Sequence, residues 1–203
     1  MKINRTLSAL LMMVTIAYGA YGQASGVHTE KKGKDSLVAT SYLYVYDVGE
    51  QFVELQFRSG YKGEKPTGPP TNIELDIYSF STGPLYASRS VSLVADGVET
   101  KIGTPHTMVL RGQTNNGVDA FYVVDGNPNI GIQVPVPQTA KIKASGNLNG
   151  KTLEWMILGM KPDSFLKLLK ATKLEVKIGD STFPLKESHL EIVHNFVNQI
   201  TPQ

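Results

Sequence analysis

The amino-acid sequence predicts a mainly β fold, namely a single antiparallel β-sandwich domain with one short and one longer C-terminal helix. Three observations support this prediction. Apolar and polar residues alternate along most of the chain, turn-forming residues recur between the alternating segments, and a helical period appears only near the C-terminus. The 203 residues are enough to enclose one full hydrophobic core.

The N-terminus has the three parts of a secretory signal peptide. Lys2 and Arg5 provide positive charge, residues 7–17 form an apolar run, and small residues follow at positions 20 and 22. The run is shorter than the roughly 20 residues that a membrane-spanning helix needs. We therefore expect a signal peptide over residues 1–22, export to the periplasm or beyond the cell, and no integral membrane span after cleavage. An uncleaved N-terminal anchor is the alternative.

Composition excludes several kinds of chemistry. The chain has no cysteine, which rules out disulfides, thiolate metal sites and a cysteine nucleophile. The formal net charge is +2, and removal of Lys2 and Arg5 with the signal peptide leaves a neutral chain. A neutral chain gives no electrostatic reason to expect a nucleic-acid partner.

The strands begin after a polar stretch. Residues 23–36 have little apolar content and no period, which predicts a flexible arm, so the folded domain is expected over residues 37–203. Segments 53–58 and 73–78 alternate strictly between apolar and polar residues, which is typical of strands with one buried and one solvated face.

A hairpin is predicted next, because Asp96-Gly97 separates the alternating segments 91–95 and 98–102 and favours a type I′ turn. Turn clusters then delimit five further predicted strands. These lie at 107–111, 119–124, 130–136, 140–144 and 152–159.

The C-terminal part changes period. Asp163 can cap a short helix, and residues 174–178 alternate as a strand that precedes a turn at Gly179-Asp180. A longer helix is predicted from about 186 to 199, since apolar residues recur there at three- and four-residue spacings.

Several of these segments also resemble an uncharacterised family of secreted bacterial β-rich proteins. The resemblance rests on residues 93–99 with their Ala-Asp-Gly hairpin, and on the ending formed by residues 165–171, 176–179 and 183–185. It implies the same hairpin and the same helix–strand–helix ending. The shared motifs are structural, so the resemblance implies no activity.

Three alternating tyrosines, Tyr42, Tyr44 and Tyr46, are the most unusual local feature. On a regular strand they would lie on one face, opposite Leu43 and Val45. Such a row can bind a sugar or a protein partner, because each ring offers apolar area with a polar tip. The alternative is that the rings occupy half-buried sheet positions, where aromatic residues are common.

A calcium site is one interpretation of the segment from Asp125 to Asn129. Asp125, Asn127 and Asn129 place oxygen ligands at alternate positions, as calcium loops do. However, Ile130 and Val136 stand where such a loop needs glycine and glutamate. The alternative is an ordinary turn, so no cofactor is predicted apart from this possible calcium ion.

Catalytic signatures are missing or incomplete. Gly150-Lys151-Thr152 resembles the end of a phosphate-binding loop, but Ser145 stands where that loop needs glycine, and a strand pattern follows instead of a helix. No Gly-x-Ser-x-Gly sequence is present. Glu74 and Asp76 share a strand face about 7 Å apart, which glycosidases can use and which any solvated strand face can also show.

Two hypotheses for function follow. The first is a secreted or periplasmic non-enzymatic module that binds an envelope protein or a glycan. The second is an exported hydrolase whose site is assembled from dispersed loop residues.

Overall fold

Two antiparallel β-sheets pack face to face in the computed structural model, which confirms the predicted mainly β sandwich. The structure describes residues 26–63, 70, 72–82, 86, 88–116, 118–123, 133–134, 147–168 and 170–201. The predicted signal peptide over residues 1–22 and the predicted strand at 140–144 lie outside these residues.

Thirteen strands are present in the described part of the chain. They are β1 (Val27–Lys32), β2 (Asp35–Thr40), β3 (Leu43–Val48), β4 (Gln51–Lys62), β5 (Ile73–Ser81), β6 (Val91–Ala95), β7 (Val98–Gly103), β8 (His106–Asn115), β9 (Val118–Val123), β10 (Gln133–Val134), β11 (Thr152–Met160), β12 (Leu174–Ile178) and β13 (Ser181–Pro184). Helix α1 (Pro162–Leu168) connects the last strand of the large sheet to the small sheet, and α2 (Glu187–Ile200) ends the described chain.

The large sheet has the order β1-β2-β4-β5-β11-β8-β9-β10, with β3 paired to β4 beyond the end of β2. The small sheet has the order β13-β12-β6-β7. The chain therefore leaves the large sheet after β5, forms the β6–β7 hairpin, and returns at β8. After β11 it crosses again through α1 to complete the small sheet.

The main core lies between the two sheets and under the helices. Phe57 of β4 is fully buried there, and its ring centroid lies 5.3 Å from that of Phe165 in α1 and 6.4 Å from that of Phe196 in α2. The Tyr61 hydroxyl donates a hydrogen bond to the backbone oxygen of Ile200 (3.1 Å) and so fastens the end of α2 to β4. The predicted amphipathic helix is confirmed, because its apolar face covers one side of the core.

The Asp96-Gly97 hairpin is confirmed, and it has a second role. Both residues have positive φ, +49° and +84°, as a type I′ turn requires. The Asp96 carboxylate accepts hydrogen bonds from the Thr172 hydroxyl (2.8 Å), the Thr172 amide (3.0 Å) and the Lys173 amide (2.9 Å). These bonds, that of the Thr172 hydroxyl above all, lower the pKa of Asp96. The turn thus fixes the segment that leads into β12.

The flexible arm predicted for residues 23–36 is wrong from Val27 onward. Residues 27–32 form β1, which pairs with β2 around a tight turn at Gly33, where φ is +66°. The pairing depends on backbone hydrogen bonds and on Val27, which is almost fully buried. In a polar edge hairpin of this kind, apolar and polar residues do not alternate regularly, so the sequence does not predict its strands.

The other predicted strands agree with the structure where it describes them. Strands β8 and β11 contain the segments predicted at 107–111 and 152–159, and β9 contains the described part, 119–123, of the segment predicted at 119–124. Of the strand predicted at 130–136, the described part is β10. Because β11 follows Gly150-Lys151 directly, the helix that a phosphate-binding loop requires is absent at that position.

Candidate functional site

The candidate site lies on the outer face of the large sheet, the face that carries Glu54, Asp76 and Trp155 on the central strands β4, β5 and β11. One end of this face is a second apolar cluster, separate from the main core. Its buried members are Phe52, Phe80, Leu110, Phe121, Leu148 and Leu153. Tyr78 and Trp155 pack against this cluster and are only partly buried. They mark the boundary between the apolar end of the face and its polar part.

An aromatic row, formed by Tyr42, Tyr78 and Trp155, crosses the outer face beside this apolar cluster. The Tyr78 and Trp155 rings are stacked with centroids 5.5 Å apart, and Tyr42 meets Tyr78 edge to face at 5.7 Å. Tyr42 and its neighbour Tyr44 are 45% and 40% exposed, which is high for aromatic residues. The contacts between the rings hold them in place while leaving Tyr42 accessible to a ligand.

The prediction that three tyrosines share one strand face is wrong for Tyr46. Tyr44 pairs with Glu54, but a β-bulge shifts the register so that Tyr46 pairs with Val53. Val53 belongs to the inner face, and the Tyr46 ring accordingly packs 6.0 Å from Phe183 in the main core. The bulge places one extra residue in β3, which reverses the side of every residue that follows it.

Arg58, Asp76 and Glu74 form an ion-pair cluster beside the aromatic row. The Arg58 guanidinium binds Asp76 through Nε to Oδ2 (2.5 Å) and Nη2 to Oδ1 (2.9 Å). Its Nη2 also donates to Glu74 Oε2 at 3.2 Å. The Trp155 indole N–H donates to Asp76 Oδ1 at 3.3 Å, which joins the cluster to the aromatic row.

The two carboxylates of this cluster differ strongly in their access to solvent. The Asp76 side chain is 0% exposed, whereas that of Glu74 is 41% exposed. Burial raises the pKa of Asp76 to about 6, although the charge of Arg58 and the Trp155 hydrogen bond oppose the increase. Burial also raises the pKa of Tyr78, with the Asp76 charge adding to the effect, so the Tyr78 hydroxyl keeps its proton.

The outer face is less solvated than the alternation of residues 53–58 and 73–78 predicted. Glu54 and Gln56 are buried, as is Asp76. Gln56 donates a hydrogen bond through Nε2 to the Thr40 backbone oxygen at 2.9 Å. Polar side chains can be buried in this way when they form ion pairs or hydrogen bonds.

The geometry of Glu74 and Asp76 bears on hydrolysis. Both carboxylates bind the same guanidinium, and Asp76 is enclosed by Arg58 and Trp155. A carboxyl group that acts on a substrate must come within hydrogen-bond distance of it. Asp76, buried as it is, holds Arg58 and Trp155 in place and does not face a substrate, whereas Glu74 can reach a ligand.

A second buried ion pair lies on the inner face of the large sheet. The Arg89 guanidinium binds Glu154 Oε1 through Nε (3.0 Å) and Nη2 (2.5 Å), and Glu154 is almost fully buried. Arg89 belongs to the segment that enters β6, and Glu154 belongs to β11. This pair therefore connects the two sheets.

Sequence reasoning identified Tyr42, Tyr44, Glu74 and Asp76 but missed the grouping that surrounds them. Arg58, Tyr78 and Trp155 come from three neighbouring strands, and only the register places them together. One signal was available in the sequence. Trp155 is the single tryptophan of the chain and stands on an alternating segment.

The predicted calcium loop lies outside the described residues. Asp125, Asn127 and Asn129 all belong to that part of the chain, so a calcium ion there stays a prediction. Within the described ranges, no group of three or more histidine, aspartate or glutamate residues is arranged to hold a metal ion.

None of the helices in the described part of the chain is both long and apolar enough to cross a membrane. Comparisons of the chain with protein-family models, with curated protein sequences and with solved structures find no match.

Proposed function

We propose that this protein is an exported, non-enzymatic binding module that recognises an envelope component, a protein or a glycan, through the outer face of its large sheet. The observation that supports this proposal most strongly is the pair of exposed rings, Tyr42 and Tyr44, next to a fixed aromatic and ionic framework. Large aromatic groups that stay half exposed on a rigid sheet are typical of binding surfaces.

The site is well suited to binding because the groups that can contact a ligand are already held in place. Tyr42 is held by its edge contact with Tyr78, and the exposed carboxylate of Glu74 is held by Arg58. Groups fixed in this way lose little conformational entropy when a ligand binds.

The alternative of an exported hydrolase has one observation in its favour, the raised pKa of Asp76 near a second carboxylate. The complete burial of Asp76 and its ion pair with Arg58 argue for a structural role instead. Binding therefore accounts for more of the site than hydrolysis does.

A sedimentation experiment tests the binding proposal. The exported protein is mixed with envelope preparations of the producing cells, and the bound fraction of the wild type is compared with that of the Tyr42→Ser/Tyr44→Ser variant. The control is Val98→Ser, which alters a 67% exposed residue of the small sheet. We expect binding by the wild type and the control, and loss of binding by the double variant. Equal sedimentation of all three proteins would contradict the proposal.

Export is tested separately. N-terminal sequencing of the protein recovered outside the cytoplasm should begin near residue 23, because the signal peptide is predicted over residues 1–22. A chain that begins at Met1 would contradict cleavage.

A further inference from the structure

We propose that the ligand of the outer face is a non-acidic saccharide, meaning one that is uncharged or carries amino groups. This inference rests on the proposed function and specifies its ligand. Three properties of the outer face lead to it: its charge, the arrangement of its rings, and its exposed hydrogen-bonding groups.

The outer face carries negative charge around the aromatic row. Among the described outward-facing side chains of segments 52–58, 74–80 and 153–159, three are carboxylates and one is a cation. The carboxylates are those of Glu54, Glu74 and Asp76, and the cation is Arg58, whose guanidinium already binds two of them. Within these segments the one cation, Arg58, is already ion-paired, so an acidic saccharide placed there would meet repulsion, whereas an amino group would be attracted.

The rings provide a narrow apolar surface with polar edges. Successive centroid distances of 5.7 and 5.5 Å place Tyr42 and Trp155 at most about 11 Å apart. This distance suits a chain of about two linked hexose rings better than it suits a broad protein surface. Each hexose has an apolar C–H face that can lie against an aromatic ring and hydroxyl groups that point away from it.

The exposed polar groups suit a hydroxyl-rich ligand. The Glu74 carboxylate remains 41% exposed while Arg58 fixes its position, so it can accept hydrogen bonds from sugar hydroxyls. An apolar protein side chain placed there would remove water from Glu74 without replacing the hydrogen bonds that water makes to this carboxylate, which is costly. A saccharide satisfies the carboxylate and covers the rings at the same time.

The single tryptophan gives a direct measurement of binding, since Trp155 is part of the aromatic row. Maltohexaose and a glucosamine hexasaccharide serve as uncharged and amine-bearing probes, and hexagalacturonate serves as the acidic control. We expect either of the first two, at up to about 10 mM, to change the Trp155 emission in a saturable manner. Hexagalacturonate should bind at least about tenfold more weakly than the better probe.

Variants separate the contributions of the rings and the charge. Tyr42→Ala should weaken saccharide binding about tenfold or more, because it removes the accessible ring. Glu74→Gln keeps a hydrogen-bonding group but removes the charge, so it should reduce the preference for the amine-bearing probe over the uncharged one. Val98→Ala, a variant of the small sheet, should bind as the wild type does.

The outcomes distinguish this inference from the proposed function. The inference is overturned if neither non-acidic probe changes the emission, if hexagalacturonate binds equally well, or if Tyr42→Ala binds as the wild type does. If sedimentation with envelopes still depends on Tyr42 and Tyr44 but is abolished by protease treatment of the envelopes, the ligand is a protein and only the saccharide inference fails. If sedimentation does not depend on the tyrosines either, both proposals fail.

Discussion

The pH dependence of stability provides a sharp test of how Asp76 is held. The perturbation is Asp76→Asn, which removes the ionisable group but keeps an oxygen that can accept from the Trp155 indole. The new amide nitrogen faces the Arg58 guanidinium, which adds a cost that does not depend on pH. The informative quantity is therefore how the stability difference between wild type and variant changes with pH.

The magnitude follows from the pKa of Asp76, which rises from an ordinary value of 3.8 to about 6 on folding. Between these two values the folded state holds a proton that the unfolded state has lost, so the free energy of unfolding falls as the pH rises. The full contribution of Asp76 protonation to the free energy of unfolding is present below about pH 4 and is lost above about pH 6. A shift of this size corresponds to about 3 kcal/mol.

Both proteins are unfolded with urea at several values between about pH 4 and about pH 7. Unfolding is monitored by circular dichroism instead of tryptophan fluorescence, because Trp155 contacts Asp76 directly. The wild type should lose about 2 kcal/mol of this contribution relative to Asp76→Asn across the range. A difference that stays constant, or one that grows in favour of the wild type, would show that folding does not raise the pKa of Asp76. The second result would mean that the charge of Arg58 lowers the pKa of Asp76 by more than burial raises it.

Three further predictions concern the fold. Gly179 has φ of +56°, and a Cβ added there would lie 2.5 Å from a backbone oxygen. Gly33 has a similar φ of +66°, but the space around it is open. Gly179→Ala should therefore lower the free energy of unfolding in urea by about 1–3 kcal/mol more than Gly33→Ala does. Phe57→Ala should cost about 3–5 kcal/mol in the same assay, against about 0.5 kcal/mol or less for Val98→Ala. Asp96→Asn should lower the urea midpoint at neutral pH, and the difference should shrink as the pH falls through the lowered pKa of Asp96.

Sequence reasoning predicted best those elements that local rules determine. The alternation of residues 53–58 and 73–78 located β4 and β5, because a strand buries every second side chain. The Asp96-Gly97 turn and the two helices were predicted for the same reason. The turn depends on two adjacent residues that adopt positive φ, and a helix depends on apolar residues at three- and four-residue spacings.

The site depended on interactions that local patterns do not contain. The bulge between Tyr44 and Tyr46 arises from pairing with β4, and it moved Tyr46 from the outer face to the core. Likewise, Arg58 meets Asp76 and Trp155 only because β4, β5 and β11 are neighbours in one register. The sequence alternation shows which side chains share a face, but it does not show which strands lie next to each other.

A ligand of the outer face has to bind across the aromatic row, and the indole resonance of Trp155 reports on binding there. With a single tryptophan, the ¹H–¹⁵N spectrum of the folded protein contains one indole N–H signal. Titration with the glucosamine hexasaccharide or maltohexaose should shift this signal together with the amides of Tyr42 and Tyr78, while the Val98 amide in the small sheet stays in place. An unchanged indole signal with both probes, or equal shifts in the two sheets, would contradict the claim.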